Sequence, residues 1–215
     1  MSLNIHQYPV GPMDNFIYLL ECTKTNQVAV VDPAWDYPLI QAEIKRLNGQ
    51  LTMVLLTHCH FDHLNALEEV LEHHDVPVYV SNKSQTEPIN ALKQTQLVGE
   101  GDTISFGAHT INILTTPGHS ICGQCFYVGD HLMTGDTMFI NGCGRADLGD
   151  SSPQALYQSL EKIKQLPDST MIYCGHNYAD QPTDTLGNQK KTNPYLLCKD
   201  EATFVRKRMG LGYSG

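Results

Sequence analysis

Thr57-His58-Cys59-His60-Phe61-Asp62-His63 follows directly on the apolar run Thr52-Met53-Val54-Leu55-Leu56. A short apolar run of this kind reads as a buried strand. The seven residues after it carry four side chains of metal-ligating type. His58 and His60 are two apart, so in extended backbone their rings point the same way. Asp62 and His63 fall where a helix is expected to begin, marked by Leu64, Leu67 and Leu71. Free backbone N–H groups at a helix start favour a carboxylate there. Four such side chains at the end of a buried strand are costly unless something coordinates them.

Three later positions extend the pattern. His119 follows Pro117-Gly118, Asp136 follows the strand-like His131-Leu132-Met133-Thr134-Gly135, and His176 follows Gly175 after Met171-Ile172-Tyr173-Cys174. Each comes just after an apolar strand, and each has a glycine before it that lets the backbone turn sharply. Strand ends along one sheet edge are where open α/β folds place their sites. Taken one at a time these residues are unremarkable surface or cap positions. Together with 57–63 they make a seven-residue ligand set.

The surrounding chain alternates strands and helices at first. Asn15–Cys22 and Gln27–Val31 read as strands around the turn 23–26. A helix capped by Asp36 follows, with Ile40, Ile44 and Leu47 on one face and Gly49 as its stop. Pro77–Val80 reads as a further strand. From Asp102 to Asp136 short strands follow one another, separated by turns at 106–107, 117–118 and 129–130. Ser152-Pro153 opens a helix with Leu156, Leu160 and Ile163 on one face. Met171–Cys174 is the last expected strand. The remainder is polar and loop-rich, with a short helix near 200–209. The expected architecture is α/β: two β-rich layers with helices outside. Residues 1–215 read as a single domain, in which 177–215 form a short C-terminal loop and helix extension.

Composition narrows the function classes. Of 215 residues, 41% are apolar and 17% charged, and the formal net charge is −9. An acidic chain of this kind argues against a nucleic-acid or anionic-membrane surface. No segment approaches the roughly 20 apolar residues of a membrane helix. The start, Met1-Ser2-Leu3-Asn4-Ile5-His6, has no secretory n-region, and seven cysteines is an odd number, so a cytoplasmic protein with reduced thiols is expected. The partner implied is a small molecule. Oligomeric state is not legible.

These motifs resemble the metallo-β-lactamase superfamily, and within it the glyoxalase II (hydroxyacylglutathione hydrolase) group. The segments that carry the resemblance are HxHxDH at 58–63, TPGHS around His119, TGDTMF around Asp136 and YCGHNY around His176. The resemblance implies an αββα sandwich of two mixed sheets with a two-metal site at one edge. It implies that His58, His60 and His119 hold one ion, that Asp62, His63 and His176 hold the other, and that Asp136 bridges them. The ions implied are divalent, zinc first, with iron or manganese fitting the same ligands. The implied reaction is hydrolysis of a small acyl thioester by a metal-bridging hydroxide, with Asp62 and Asp136 as catalytic carboxylates. A thiolate of pKa about 8.5 leaves readily, so no strong general acid is required.

A second branch shares the ligands. Persulfide dioxygenases use a single ferrous ion on a two-His, one-carboxylate triad, which here is His58, His119 and Asp136. The segment Gly142–Asp147 (GCGRAD) is closer to that branch, whereas Phe61, TGDTMF and YCGH follow the glyoxalase II style. The glutathione-contacting Tyr of glyoxalase II has no counterpart in Arg145-Ala146-Asp147. Arg145 is left as a carboxylate-binding candidate, and Tyr178 matches a family glutathione contact. Other candidates read as structural. Cys122-Gly123-Gln124-Cys125 opens a strand rather than a helix, unlike a thioredoxin-type pair. Cys59 should point away from His58 and His60. His73 and His74 suit a helix end, and His6, His109 and His131 belong to no motif.

Overall fold

The computed structural model describes residues 2–86, 89 and 91–211. Its first sheet runs β1 (Leu3–Val10), β2 (Asn15–Cys22), β3 (Gln27–Val31), β4 (Gln50–Leu55), β5 (Val78–Ser81) and β6 (Thr95–Val98), side by side in that order. The first three strands pair antiparallel and the rest parallel. Later come β7 (Thr103–Phe106), β8 (His109–Thr115), β9 (Gln124–Val128), β10 (His131–Gly135), the ribbon strands β11 (Met138–Phe139) and β12 (Gly142–Cys143), β13 (Met171–Cys174) and β14 (Thr183–Thr185). The second sheet has the order β14-β13-β10-β9-β8-β7, in which only β10 and β13 pair parallel.

Packing explains why β2 is apolar almost throughout. Phe16, Tyr18, Leu20 and Cys22 face the second sheet and meet Phe106, Ile111, Ile113 and Phe126. Ile17 and Leu19 face the other way, toward helices α1 (Tyr37–Arg46) and α2 (Leu67–His73). The outer face of the second sheet carries Leu132 and Ile172, covered by α3 (Pro153–Ile163), α4 (Leu186–Thr192) and α5 (Glu201–Arg208). The result is the expected αββα sandwich of two mixed sheets flanked by helices.

Local signals place the helices. Asp36 caps α1 by accepting from Leu39 N at 2.9 Å, and Ser152 caps α3 by accepting from Ala155 N at 3.2 Å. The stop of α1 comes one residue before Gly49, at Asn48, which takes φ 49°. The expected helix at 62 is displaced. Phe61–His63 form one 3₁₀ turn, and α2 begins only at Leu67. The reason lies outside the segment: Ala66 N donates to Pro33 O at 3.2 Å, and Asn65 Oδ1 accepts from Trp35 N at 2.7 Å, so the loop after β3 captures these residues.

Several elements were not legible in the sequence. β1 is an edge strand of mixed polarity, and β6, the β11–β12 ribbon and β14 are short. The stretch after 176, expected as loop and one helix, also supplies β14 and α4. Leu-Gly-Asn-Gln-Lys-Lys-Thr has no apolar stripe to announce α4, which is anchored by Leu186 and by Thr185 accepting from Asn188 N at 3.2 Å.

The C-terminal ends of β4, β8, β10 and β13 all reach one edge. There the two sheets are sewn together by backbone bonds: Gln124 N to Thr57 O at 2.9 Å, Phe16 N to Gly175 O at 2.8 Å, and Asn177 N to Asp14 O at 2.7 Å. Because Phe106 is fully buried between the sheets, Phe106→Ala is expected to cost about 3–5 kcal/mol. Chemical denaturation should read this as a lower midpoint with an unchanged slope.

Candidate metal centre

All seven predicted ligand residues meet at that edge. His58, His60 and His119 bring ring nitrogens within 4.8 Å of one another, and Asp62, His63 and His176 form a second such group. His119 Nε2 lies 3.0 Å from His60 Nδ1, and His63 Nε2 lies 3.2 Å from His176 Nε2. Asp136 stands between the groups. Its Oδ2 is 3.5 Å from His119 Nε2 and 3.3 Å from His176 Nε2, and its Oδ1 is 3.4 Å from His63 Nε2. Asp62 Oδ2 is 3.5 Å from His63 Nε2 and 3.4 Å from His176 Nε2.

Hydrogen bonding on the far side of each ring decides which nitrogen is free. His119 Nδ1 lies 2.9 Å from Arg145 O and His176 Nδ1 lies 2.8 Å from Met13 O. A carbonyl only accepts, so both Nδ1 atoms donate and both Nε2 atoms keep a lone pair. His63 Nδ1 likewise donates to the Asp32 carboxylate at 3.1 Å, which leaves Nε2 as the atom turned to the centre. His58 Nδ1 meets Thr57 Oγ1 at 3.1 Å, and that hydroxyl gives its own proton to Asp32 Oδ2 at 2.6 Å. His58 Nε2 and Asp136 Oδ1 are left buried with no hydrogen-bond partner.

Ring nitrogens and carboxylate oxygens crowded at 3.0–3.5 Å in a buried pocket, with His58 Nε2 and Asp136 Oδ1 unpartnered, favour a cation between them. The spacing also matches the edge of about 3.3 Å that a tetrahedron has when its arms are about 2.0–2.1 Å. The donor set therefore fits divalent ions. Electrostatics agree. Burial opposes charge on His63, yet the carboxylates of Asp136 and Asp32 hold its pKa up to about 9. Burial raises the Asp136 carboxyl, but His63 and His176 hold it well below the usual carboxylate range. His58, deeply buried and beside His63, is held well below the usual imidazole value.

Asp32 is the residue that motif reading overlooked. It is buried, has φ 50°, and accepts from Thr57 N at 2.7 Å, from Thr57 Oγ1 and from His63 Nδ1. It thus steadies the His58 and His63 rings from behind, and its carboxylate also lies within 4.8 Å of their nitrogens. Its only sequence signal is an Asp closing the buried strand Val28–Val31. Asn15 was overlooked as well: its Nδ2 donates to Asp62 Oδ2 at 2.9 Å, while its Oδ1 accepts from Trp35 Nε1 at 2.8 Å. It is this amide, rather than helix N–H groups, that holds the Asp62 carboxylate.

Two of the glycines before ligands act differently. Gly135 has φ 48° and lies against Thr57, so it serves the turn. Gly175 needs no left-handed backbone. A Cβ there would strike Asp136 Oδ1 and His63, so its role is room.

A cavity of about 550 Å³ opens onto the centre. His60, Asp62, His119, Asp136 and His176 line it on one side, with Arg145, Tyr178, Tyr195 and Arg208 around the rest. Tyr178 stacks on the His176 ring at 4.8 Å between centroids. Arg145 is engaged bidentately by Asp147 at 2.8 and 2.9 Å.

Residues 10–176 match the family described as the metallo-beta-lactamase superfamily. The chain belongs to that superfamily. It is 29% identical over 195 residues to the "Probable polyketide biosynthesis zinc-dependent hydrolase BaeB" of Bacillus velezensis, covering 90% of this chain and 87% of that one. It is 36% identical over 189 residues to a hydroxyacylglutathione hydrolase of Citrobacter koseri, covering 87% of this chain and 69% of the relative. Among solved structures, ETHE1 from Myxococcus xanthus superposes with a TM-score of 0.88 at 27% identity, covering 97% of this chain and 91% of that chain. The His/Asp groups that could hold metal ions lie within the matched residues.

The cysteines and remaining histidines fall outside the centre. Cys125 points to Thr116 and Thr134, whereas Cys122 points to Ser120. The CxxC is therefore not a facing pair. His73 ends α2 and stacks on Tyr37. No helix among the described residues is long and apolar enough to cross a membrane.

Two outcomes follow from this geometry. Below pH about 9 the empty site keeps His63 protonated, and a cation bound at Nε2 must expel that proton. Zinc uptake near neutral pH should release about one proton, and affinity should rise with pH until about 9, then level. Calorimetry in buffers of different ionisation enthalpy measures this, and zero release would contradict the assignment. Asp32→Ala should weaken zinc binding by about 10- to 100-fold, read by competition with a chromophoric chelator.

Proposed function

We propose that this chain is a metal-dependent hydrolase of small acyl thioesters, working with two divalent ions, zinc first. The observation that carries the reading is the placement of Asp136, whose two oxygens face donors of both groups. His58, His60 and His119 would hold one ion and Asp62, His63 and His176 the other. When bound, two such ions supply Lewis acidity toward the acyl oxygen and lower the pKa of a shared water toward about 7. The relatives named as a zinc-dependent hydrolase and as hydroxyacylglutathione hydrolases support this chemistry and a thioester substrate.

The chain's own groups divide the work. Asp62, fixed by Asn15 and lining the cavity, is placed to take a proton from the attacking water. Asp136 keeps its carboxylate ionised between the two groups. Tyr178 offers a hydroxyl and a ring at the cavity wall, and Arg145 offers the guanidinium donors that Asp147 leaves free, toward a carboxylate of the thiol carrier. Substrate enters as acyl thioester plus water and leaves as acid plus thiol, a leaving group needing little protonation. A glutathione conjugate is the carrier we favour. The reading is completed by a cytoplasmic setting, in keeping with seven free thiols among the described residues, and by one domain whose tail after 176 closes the cavity wall.

A second reading has one observation behind it. The likeness to ETHE1 extends over nearly the whole chain, and the persulfide dioxygenase branch would use His58, His119 and Asp136 for a single ferrous ion. Parallel assays separate the two. Hydrolysis should release one thiol per acid from S-lactoylglutathione without oxygen. Oxygen uptake and sulfite from glutathione persulfide, with no thioester cleavage, would reverse the assignment.

Substitutions test the roles. Asp136→Ala should lose more bound metal than Asp62→Ala, while Asp62→Ala keeps the first ion and loses about 100-fold or more in kcat. Arg145→Ala should raise KM by about tenfold at most and leave kcat nearly unchanged, since that contact is equal in ground and transition states.

A further inference from the structure

Two cysteines that the hydrolytic centre does not use lie close together at its edge. Gln124 N donates to Thr57 O at 2.9 Å, and Gln124 Nε2 donates to Leu56 O at 2.9 Å, so the chain entering β9 runs against the chain leaving β4. Two residues onward from Thr57 is Cys59. Two residues back from Gln124 is Cys122. Both residues therefore lie close to this seam. The two thiols interact with one another directly, and the Cys59 backbone N–H acts on Cys122 Sγ as well.

The surroundings suit reaction. Ser84 Oγ lies 3.3 Å from Cys59 Sγ and Ser120 Oγ lies 3.2 Å from Cys122 Sγ, so polar partners surround both sulfurs. Cys59 is partly buried and keeps some exposed surface, which gives an oxidant entry, and Cys122 is buried. The other five cysteines are all buried.

Their position gives the pair leverage. Cys59 lies between His58 and His60, and Cys122 lies three residues after His119. Every member of the first ligand group is thus within three residues of one of the two sulfurs. Closing a direct sulfur contact to a covalent bond of about 2.05 Å must draw Cys59 toward Cys122. The movement falls on the two histidines that flank Cys59.

We propose that Cys59 and Cys122 form an oxidisable thiol pair, a modification site for peroxides, whose closure loosens the first metal-ligand group. The step balances. One thiol attacks a peroxide oxygen, the O–O bond breaks, and a sulfenic acid and water (or alcohol) form. The second thiol then attacks that sulfur, the S–O bond breaks, an S–S bond forms and a second water leaves. Two electrons pass from the pair to the peroxide. The site does not depend on which reaction the centre catalyses.

The experiment treats the zinc-loaded full chain with hydrogen peroxide, maps disulfides in unreduced peptides, and times zinc loss to a chromophoric chelator. The expected result is a Cys59–Cys122 linkage, with the two joined peptides lighter by two hydrogens, and zinc loss faster by about tenfold or more. A phosphine reductant should restore the slow rate. Cys122→Ser and Cys59→Ser should each fold, bind zinc with the unoxidised rate of loss, and ignore peroxide. A Cys122–Cys125 linkage, no linkage at all, or a Cys59–Cys122 linkage with unchanged zinc loss would each overturn the proposal.

Discussion

Ring nitrogens and carboxylate oxygens crowded at the seam of two sheets are the constraint on which this structure turns. His58 Nε2 and Asp136 Oδ1 are buried without partners, and the Nε2 atoms of His63 and His176 stand 3.2 Å apart. Such an arrangement is disfavoured in an ordinary core, where buried polar groups find hydrogen bonds. It persists because the scaffold holds each ring from behind. Two backbone carbonyls and one carboxylate take the Nδ1 protons of His119, His176 and His63, and Thr57 serves His58. The scaffold thereby turns the Nε2 atoms of His63, His119 and His176 to the centre in advance, so a cation would meet donors already in place.

The scaffold can do this because its two sheets are packed through one apolar layer and stitched by backbone bonds at a single edge. Phe16, Leu20, Phe106 and Phe126 fix the separation of the sheets, while the bonds at Thr57, Gly175 and Asp14 fix their register there. Ligands arriving from four different strands then land within hydrogen-bond range of each other. The close approach leaves no space for a side chain at Gly175. Positive φ at Asp14, Asp32 and Trp35 places further backbone cost around the same edge.

The centre also orders the chemistry around it. Asp136 sits between the ligand groups, so its ionisation is shared by both. Asn15 and Trp35 form a relay that pins Asp62 at the cavity wall. Arg145, by contrast, is half committed to Asp147, and its backbone carbonyl is already spent on His119. One residue thus supports His119 through its main chain and faces the adjoining cavity with its side chain.

The sequence by itself determined the candidate ligand set, because ligand types after buried strands leave a mark in residue order: 57–63, His119, Asp136 and His176 were legible as a group. It also determined most long apolar strands and the capped helices α1 and α3, whose signals are local. Tertiary structure alone decided the rest. Asp32 and Asn15 act through partners tens of residues away, so nothing near them in sequence announces their task. The turn at Phe61–His63 replaced a helix because the loop after β3 captured Asn65 and Ala66. β14 and α4 have too little apolar pattern to be seen before β13 and Leu186 anchor them. The nearness of Cys59 and Cys122, sixty-three positions apart in the chain, exists only because Gln124 is bonded to Thr57. Periodicity records which face of an element is buried. Which distant residue completes a hydrogen bond is settled only when the elements pack.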